Sequence, residues 1–333
     1  MSQGIWVFRV ASQTAVGGGH VNRCRRIAEV LRHSRQVLFV LDEGGESWLP
    51  QLTESRLSAV ISGAPVPETY EGCVVDGYDF EPKEVNKWRS RARTLAAFHD
   101  FGEPLDKADV IISAASSRFL PHAGADNLTL TGLHYALVGR EFTSHATRPT
   151  VPRAKNVLIS FGLIDSRNVT GLALEALETV SAVDARTNVT VILGSAAPHL
   201  EQIRHQLNNT TFKSKLIINS RNMWDQYREA DLVLGAGGTG LLERMAIGAP
   251  SISIMVAENQ RALISTAAEV GATIPVGNVD DLSATDLAAH IDVLADDHDI
   301  RDRMATAGRS VVDGKGAERI VEALLGFGEI SVT

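Results

Sequence analysis

The stretch Leu232-Val233-Leu234-Gly235-Ala236-Gly237-Gly238-Thr239-Gly240-Leu241-Leu242-Glu243 runs from strand-like residues through small ones into a helical run. Glycines let a ligand approach the backbone, and the unpaired N–H groups at a helix start, with the positive end of its dipole, suit phosphate oxygens. Gly237, Gly238, Thr239 and Gly240 are therefore candidates to hold a phosphorylated ligand, the bland alternative being a tight turn that binds nothing. Glu243, about one turn on, can accept from paired hydroxyls such as those of a ribose or simply complement the helix dipole. The same letters satisfy G-x-G-x-x-G at Gly235, Gly237 and Gly240, with Glu258 about 20 residues on. That fingerprint belongs to the first strand of its unit and this is a late one, so no nicotinamide cofactor is expected.

A second segment, Gly17-Gly18-Gly19-His20-Val21-Asn22-Arg23, lies between the first strand-like run and the first helical one. Its glycines make a close-approach loop that presents a histidine, a side chain able to take up a proton near neutral pH and so to act as a general base. The competing readings are a capping histidine and, for Arg23, Arg25 and Arg26, a solvated face. A third, Ala257-Glu258-Asn259-Gln260, follows another strand-like run. Asn259 and Gln260 each carry a donor and an acceptor suited to hydroxyl or acetamido groups, and Asn259 reads equally well as a helix cap. Tyr78, after Val74-Val75-Asp76-Gly77, can hydrogen-bond a ligand or pack half-buried. There is no H-E-x-x-H, Cys-x-x-Cys, G-x-x-x-x-G-K-[ST] or G-x-S-x-G. Asp296, Asp297 and Asp299 precede a helical run and read as its cap, so neither a metal nor a cofactor is expected.

Short β-branched runs alternating with segments of helical period must position these residues, the pattern of parallel sheets covered by helices. Strands are expected at 5–10, 36–41, 73–76, 94–98 and 110–112, with helices at 20–32 and 82–91. A second series has strands at 157–161, 189–193, 216–219, 232–234, 251–255 and 273–275. Helices are expected between them at 169–180, 200–207, 223–229, 240–247 and 259–269, and from 280 onward. Proline-rich linker chemistry marks the break, giving an N-terminal domain at 1–145, a linker at 146–155 and a C-terminal domain at 156–333. The last helix is a candidate to pack back on the first domain. Two doubly wound halves leave a cleft at the carboxyl ends of their strands, where ligands of open α/β sheets bind.

The 333 residues carry a formal charge of −8, which disfavours a nonspecific grip on nucleic acid. Two cysteines, Cys24 and Cys73, and the lack of a leader pattern at the start point to a reduced, cytoplasmic setting. No apolar run is long enough to span a membrane. The oligomeric state is left open.

Six motifs in order carry a resemblance: Gly-Gly-His-Val-Asn-Arg at 18–23, Val-Val-Asp-Gly-Tyr at 74–78, Tyr-Ala-Leu-Val-Gly-Arg-Glu-Phe at 135–142, Ser-Phe-Gly-Leu-Ile-Asp at 160–165, Gly-Ala-Gly-Gly-Thr at 235–239 and Glu-Asn-Gln at 258–260. Together they resemble the UDP-sugar hydrolase of the pseudaminic acid pathway, within the GT-B glycosyltransferase-like superfamily. The resemblance implies a GT-B fold, two Rossmann-like domains facing across a cleft. It also implies a metal-independent hydrolase that splits UDP from a UDP-2,4-diacetamido-2,4,6-trideoxyhexose for nonulosonate synthesis. By motif matching, His20 takes the place of the catalytic histidine, and Gly19, Arg23, Tyr78, Asn259 and Gln260 those of substrate-binding residues. Gly162, Gly237, Gly238, Thr239 and Gly240 take nucleotide-binding places, and Glu243 that of the ribose ligand. The chain departs from the family at Gly77, where His is typical, and at Leu163 and Ile164, where the loop usually reads Gly then Ser or Thr. Both departures bear on the sugar.

On this reading His20 activates a water, and inversion at the anomeric carbon follows from direct attack. UDP is a good leaving group, so its charge can be met by the backbone of the glycine loop and no general acid is required. A GT-B glycosyltransferase using the same site is the first alternative. A UDP-sugar epimerase and a non-catalytic nucleotide-sugar binding protein are the others.

Overall fold

The protein is described here by a computed structural model covering residues 4–13, 18–102, 107–120, 127–143 and 151–330. The chain forms two compact units, 1–138 with 314–333, and 139–313. The boundary thus lies near 138, a few residues before the expected linker, of which 146–150 fall outside the described residues.

In the first unit β1 (Ile5–Val10), α1 (Gly19–Leu31), β2 (Gln36–Leu41), α2 (Leu49–Glu54), β3 (Ser58–Ile61), β4 (Tyr70–Asp76), α3 (Pro82–Arg89), β5 (Ala92–Phe98), β6 (Val110–Ser113) and β7 (Leu128–Thr131) follow one another. Every strand pairs in parallel, in the order β3-β2-β1-β4-β5-β6-β7. Buried Trp6, Phe8, Val10, Phe39, Leu41 and Val74 form the core against Ile27 and Leu31 of α1. Parallel strands covered on both faces need such near-continuous apolar runs, which is why β1, β2 and β4 are legible in the sequence. The two edge strands β3 and β7 are four residues each and partly exposed, too short to give a period, and sequence reasoning missed them.

The second unit contains β8 (Asn156–Ser160), α4 (Val169–Leu177), β9 (Asn188–Leu193), α5 (Leu200–Leu207), β10 (Lys213–Ile218), α6 (Met223–Glu229), β11 (Leu232–Ala236), α7 (Thr239–Ile247), β12 (Ser251–Met255), α8 (Arg261–Glu269), β13 (Ile274–Asn278), α9 (Ala284–Asp296) and α10 (His298–Val311). Its parallel sheet has the order β10-β9-β8-β11-β12-β13. Asp297 caps α10 by accepting from the Ile300 N–H at 2.9 Å, the structural role that its spacing predicts. The last helix, α11 (Gly316–Ile330), belongs to the first unit. It packs on α1 and β5, and a side chain at Gly316 would collide with the Ala136 carbonyl.

In each sheet the chain reverses its direction of growth once, between β1 and β4 and between β8 and β11. Loops diverge at such points beyond the strands' carboxyl ends and leave room for a ligand. The candidate catalytic and binding residues fall at these two places or just after the neighbouring strand β12.

Candidate functional site

In the first unit His20 lies in the first turn of α1 and Asp76 ends β4, the register pairing Val10 with Asp76 across the switch point. His20 Nδ1 stands 2.6 Å from Asp76 Oδ1, both side chains buried. A carboxylate can only accept, so Nδ1 is the donor to Asp76, and Arg23 Nη2 lies 3.3 Å from the same nitrogen. Arg23, one turn on, donates from Nε and Nη2 to the two oxygens of Asp76, each at 2.6 Å. Its Nη1 donates to Asp100 Oδ2 at 2.6 Å, and its guanidinium lies over the Phe98 ring at 4.2 Å. Asp100 also accepts from Tyr78 OH at 2.9 Å and Ser113 Oγ at 3.1 Å. Tyr78 in turn meets the His20 ring edge-to-face at 4.5 Å and Phe101 at 4.8 Å.

Burial alone would raise the Asp76 carboxyl. Arg23, by charge and hydrogen bonds, and then His20 outweigh it and hold Asp76 well below the ordinary carboxylate range. For Arg23 burial acts downward and Asp100 and Asp76 more than offset it, so its cation is held firmly. Arg23 is thus the centre of the cluster, not part of a solvated face. Arg25 and Arg26, which do lie outward, pair with Glu29.

Sequence reasoning named His20, Arg23 and Tyr78 but gave Asp76, Asp100 and Ser113 no role. A signal existed: a polar residue closes or follows each apolar run of β4, β5 and β6. Gly77 has a local reason, since a Cβ there would sit 2.7 Å from the Phe80 ring and 2.8 Å from the Ala11 methyl. Phe80 is itself held beneath the Arg9 guanidinium at 4.3 Å. Gly18 and Gly19 lie at the start of α1, and Gly17 falls outside the described residues.

In the second unit, the loop from β11 to α7 carries the glycines. Gly237 donates its N–H to Gln260 Oε1 at 3.2 Å, and the same oxygen accepts from Val256 at 3.1 Å. Gln260 therefore ties the loop to the end of β12, and a side chain at Gly237 would collide with Ile264 of α8. Among the described residues the N–H groups of Gly238, Thr239 and Gly240 meet no protein acceptor. Those are the orphan donors every helix start leaves, with the helix dipole behind them. Glu243 is half-buried, four residues after Thr239 and so on the same helical face.

Asn259 stands in the short turn before α8, yet that helix has no side-chain cap. Its Oδ1 is shielded from solvent and without a hydrogen-bond partner, so the capping alternative does not hold. Beyond β8, Gly162 has φ +99°, a left-handed backbone that only glycine adopts without strain. Leu163 and Ile164 follow, both about half exposed at 52% and 49%, and Asp165 caps α4 by accepting from Val169 and Thr170. The departure from the family motif thus leaves an apolar pair open to solvent after β8.

Comparison with solved structures places this architecture. Acinetobacter baumannii MurG superposes with a TM-score of 0.71 over 96% of this chain and 99% of its own, at 13% identity. The fold is of the GT-B type. A putative UDP-N-acetylglucosamine 2-epimerase from Listeria monocytogenes aligns at TM-score 0.67, covering 96% and 95% of the two chains at 11% identity. Anabaena Alr3699/HepE, solved in complex with UDP-glucose, aligns at 0.64, covering 97% and 99% at 12% identity. By sequence the chain is similar to the spore coat polysaccharide biosynthesis protein SpsG of Bacillus subtilis, 23% identical over 92% of this chain and 94% of the relative. The uncharacterised protein MJ1062 of Methanocaldococcus jannaschii is 24% identical over 56% of this chain and 41% of its own length. No protein-family profile matches. Both cysteines are free and buried, and among the described residues no helix is long and apolar enough to cross a membrane.

Proposed function

We propose that this protein is a metal-independent, UDP-sugar-dependent glycosyltransferase of glycan assembly. In it, His20 deprotonates an oxygen nucleophile that displaces UDP from the anomeric carbon. The observation that carries the reading is the His20–Asp76–Arg23 arrangement, which fixes the ring's orientation with Nδ1 turned to Asp76 and Nε2 turned away from it. The base takes the nucleophile's proton, the new C1–O bond forms, and the C1–O bond to UDP breaks with its electron pair passing to the phosphate. One base suffices because the leaving group is already stable, unlike the alkoxide that obliges a glycosidase to use two carboxylates. The diphosphate is met by the Gly238, Thr239 and Gly240 N–H groups and the ribose by Glu243, with Gly162 allowing close approach of the loop after β8. Tyr78 and Asn259 orient the sugar, Gly19 gives it room, and Arg23 and Gln260 hold the groups around it in place. The UDP-glucose bound to HepE and the polysaccharide role of SpsG support a nucleotide-sugar donor and an acceptor hydroxyl.

A second reading rests on the six motifs: water takes the place of the acceptor, and a UDP-2,4-diacetamido-2,4,6-trideoxyhexose is hydrolysed with inversion. Proton NMR of the purified protein with that UDP-sugar, following anomeric signals and free UDP without an acceptor, separates the two. Donor that stays intact until an acceptor is added supports transfer. Rapid release of UDP with one inverted reducing sugar establishes hydrolysis and overturns it.

A further inference from the structure

Among the described residues Arg244 is a fully buried cation beside the glycine loop, and no carboxylate stands within ion-pair distance of it. It sits in the second turn of α7, 1% exposed. Its Nη2 donates to the Ala236 carbonyl at 2.9 Å and to Ser253 Oγ at 3.2 Å, and Tyr227 shares a hydrogen bond with it. Nε meets no acceptor. Among the described residues no carboxylate forms an ion pair with Arg244, the closest by sequence being the half-buried Glu243. Its hydrogen-bond partners Tyr227 and Ser253 and, behind Ser253, Thr273 are neutral, and the carboxylate whose charge reaches it is the half-buried Glu243. Burial pushes the Tyr227 phenol up to about 12, so it offers no charge.

A guanidinium stays ionised in proteins, and an unpaired buried charge is costly. An apolar residue such as the neighbouring Leu242 or Met245 would fill the helix interior without that cost. The glycines overhead are shaped around the cation instead. A Cβ at Gly235 would stand 2.5 Å from Arg244 Nη1, and one at Gly240 only 2.9 Å from Tyr227 OH. The guanidinium therefore lies directly beneath the loop whose upper side offers the orphan N–H groups of Gly238, Thr239 and Gly240.

We infer that Arg244 is the buried counter-charge for the ligand's diphosphate, a positioning residue that acts through the glycine loop and whose charge, met at a distance by Glu243, is balanced in full only when the phosphates are bound. The inference rests on the nucleotide reading above. It assigns to one arginine an effect that grows with phosphate charge: strong for UDP, weaker for UMP, absent for uridine. A residue that merely ties β11 to β12 would affect all three alike.

The test is calorimetric titration of the full chain and its Arg244→Met and Arg244→Lys variants with UDP, UMP, uridine and inorganic pyrophosphate, together with melting of each ligand-free protein. Arg244→Met is expected to weaken UDP by about tenfold or more, UMP less and uridine not at all. Its ligand-free melting temperature should be unchanged or raised, and Arg244→Lys should recover most of the UDP affinity. Equal weakening for all ligands with a lower melting temperature, or UDP affinity equal to wild type, overturns the proposal. Should Arg244→Met not fold, Arg244→Gln carries the same comparison. Wild-type protein that binds pyrophosphate through Arg244 but not UDP would sink the nucleotide reading alone, whereas failure to bind either would sink both.

Discussion

The two switch points are built on opposite electrostatic plans. At the end of β4, His20, Arg23, Asp76, Asp100, Tyr78 and Ser113 satisfy one another, and cation and carboxylate alternate within hydrogen-bond distance. At the end of β11 a buried arginine and three backbone N–H groups point the same sign of charge at one loop, and the half-buried Glu243 answers it only at a distance, without an ion pair. The first arrangement is complete without a ligand, which suits a base that must hold one orientation while nucleophiles come and go. The second has room for an anion, which suits the proposed grip on a diphosphate and its stabilisation as it leaves. Preorganisation in one region is internal; in the other it is lent by the ligand.

That contrast can be broken most sharply at His20. His20→Asn should lower turnover by about 10²- to 10⁴-fold, the usual worth of a positioned base, while the UDP dissociation constant stays within about twofold. Steady-state rates beside calorimetry check this, and a large loss of UDP affinity would show that the two regions are not independent.

A smaller effect is expected from Asp76→Asn, which removes the carboxylate that orients His20 and neutralises Arg23. Turnover should fall with little change in the UDP dissociation constant, and the fold should lose about 3 kcal/mol because Arg23 keeps only Asp100. Asp76 is depressed in the folded state, so its stabilisation is fully present above about pH 4, the unfolded carboxyl's range. It drains away as pH falls toward the lower folded value. Chemical denaturation of wild type and Asp76→Asn between pH 7 and 3 should therefore converge on acidification. Parallel curves would mean that Asp76 is not held ionised by Arg23.

The mildest test is Gly77→Ala. A methyl group at that position meets Phe80 and the Ala11 methyl, so about 1–3 kcal/mol of stability should be lost by overpacking. The histidine typical of the resembling family should cost more. A Gly77→His variant that melts like wild type would show that the departure from the family pattern is a choice of substrate and not of packing.

Much of this was legible in the residues. The central strands, most helices and the glycine loop announce themselves because buried parallel strands need unbroken apolar runs and helix starts need small or capping residues. His20 and Tyr78 stand out by type and by position after a strand. Asp76, Asp100 and Ser113 do not, because one polar letter at a strand end carries no partner with it; 53 residues separate Arg23 from Asp76 and 77 separate it from Asp100. Arg244 reads as an ordinary helix residue until its burial is known.

The sequence by itself determined the alternation of strands and helices, the two-unit order and the chemistry of its most conspicuous loops, since each depends on neighbours along the chain. Only the tertiary structure decided which carboxylate orients the histidine, that Gln260 braces the glycine loop, that α11 returns to the first unit, and that a buried cation lies beneath the glycine turn. Those outcomes depend on groups brought together by sheet order and burial, and neither is written in local spacing.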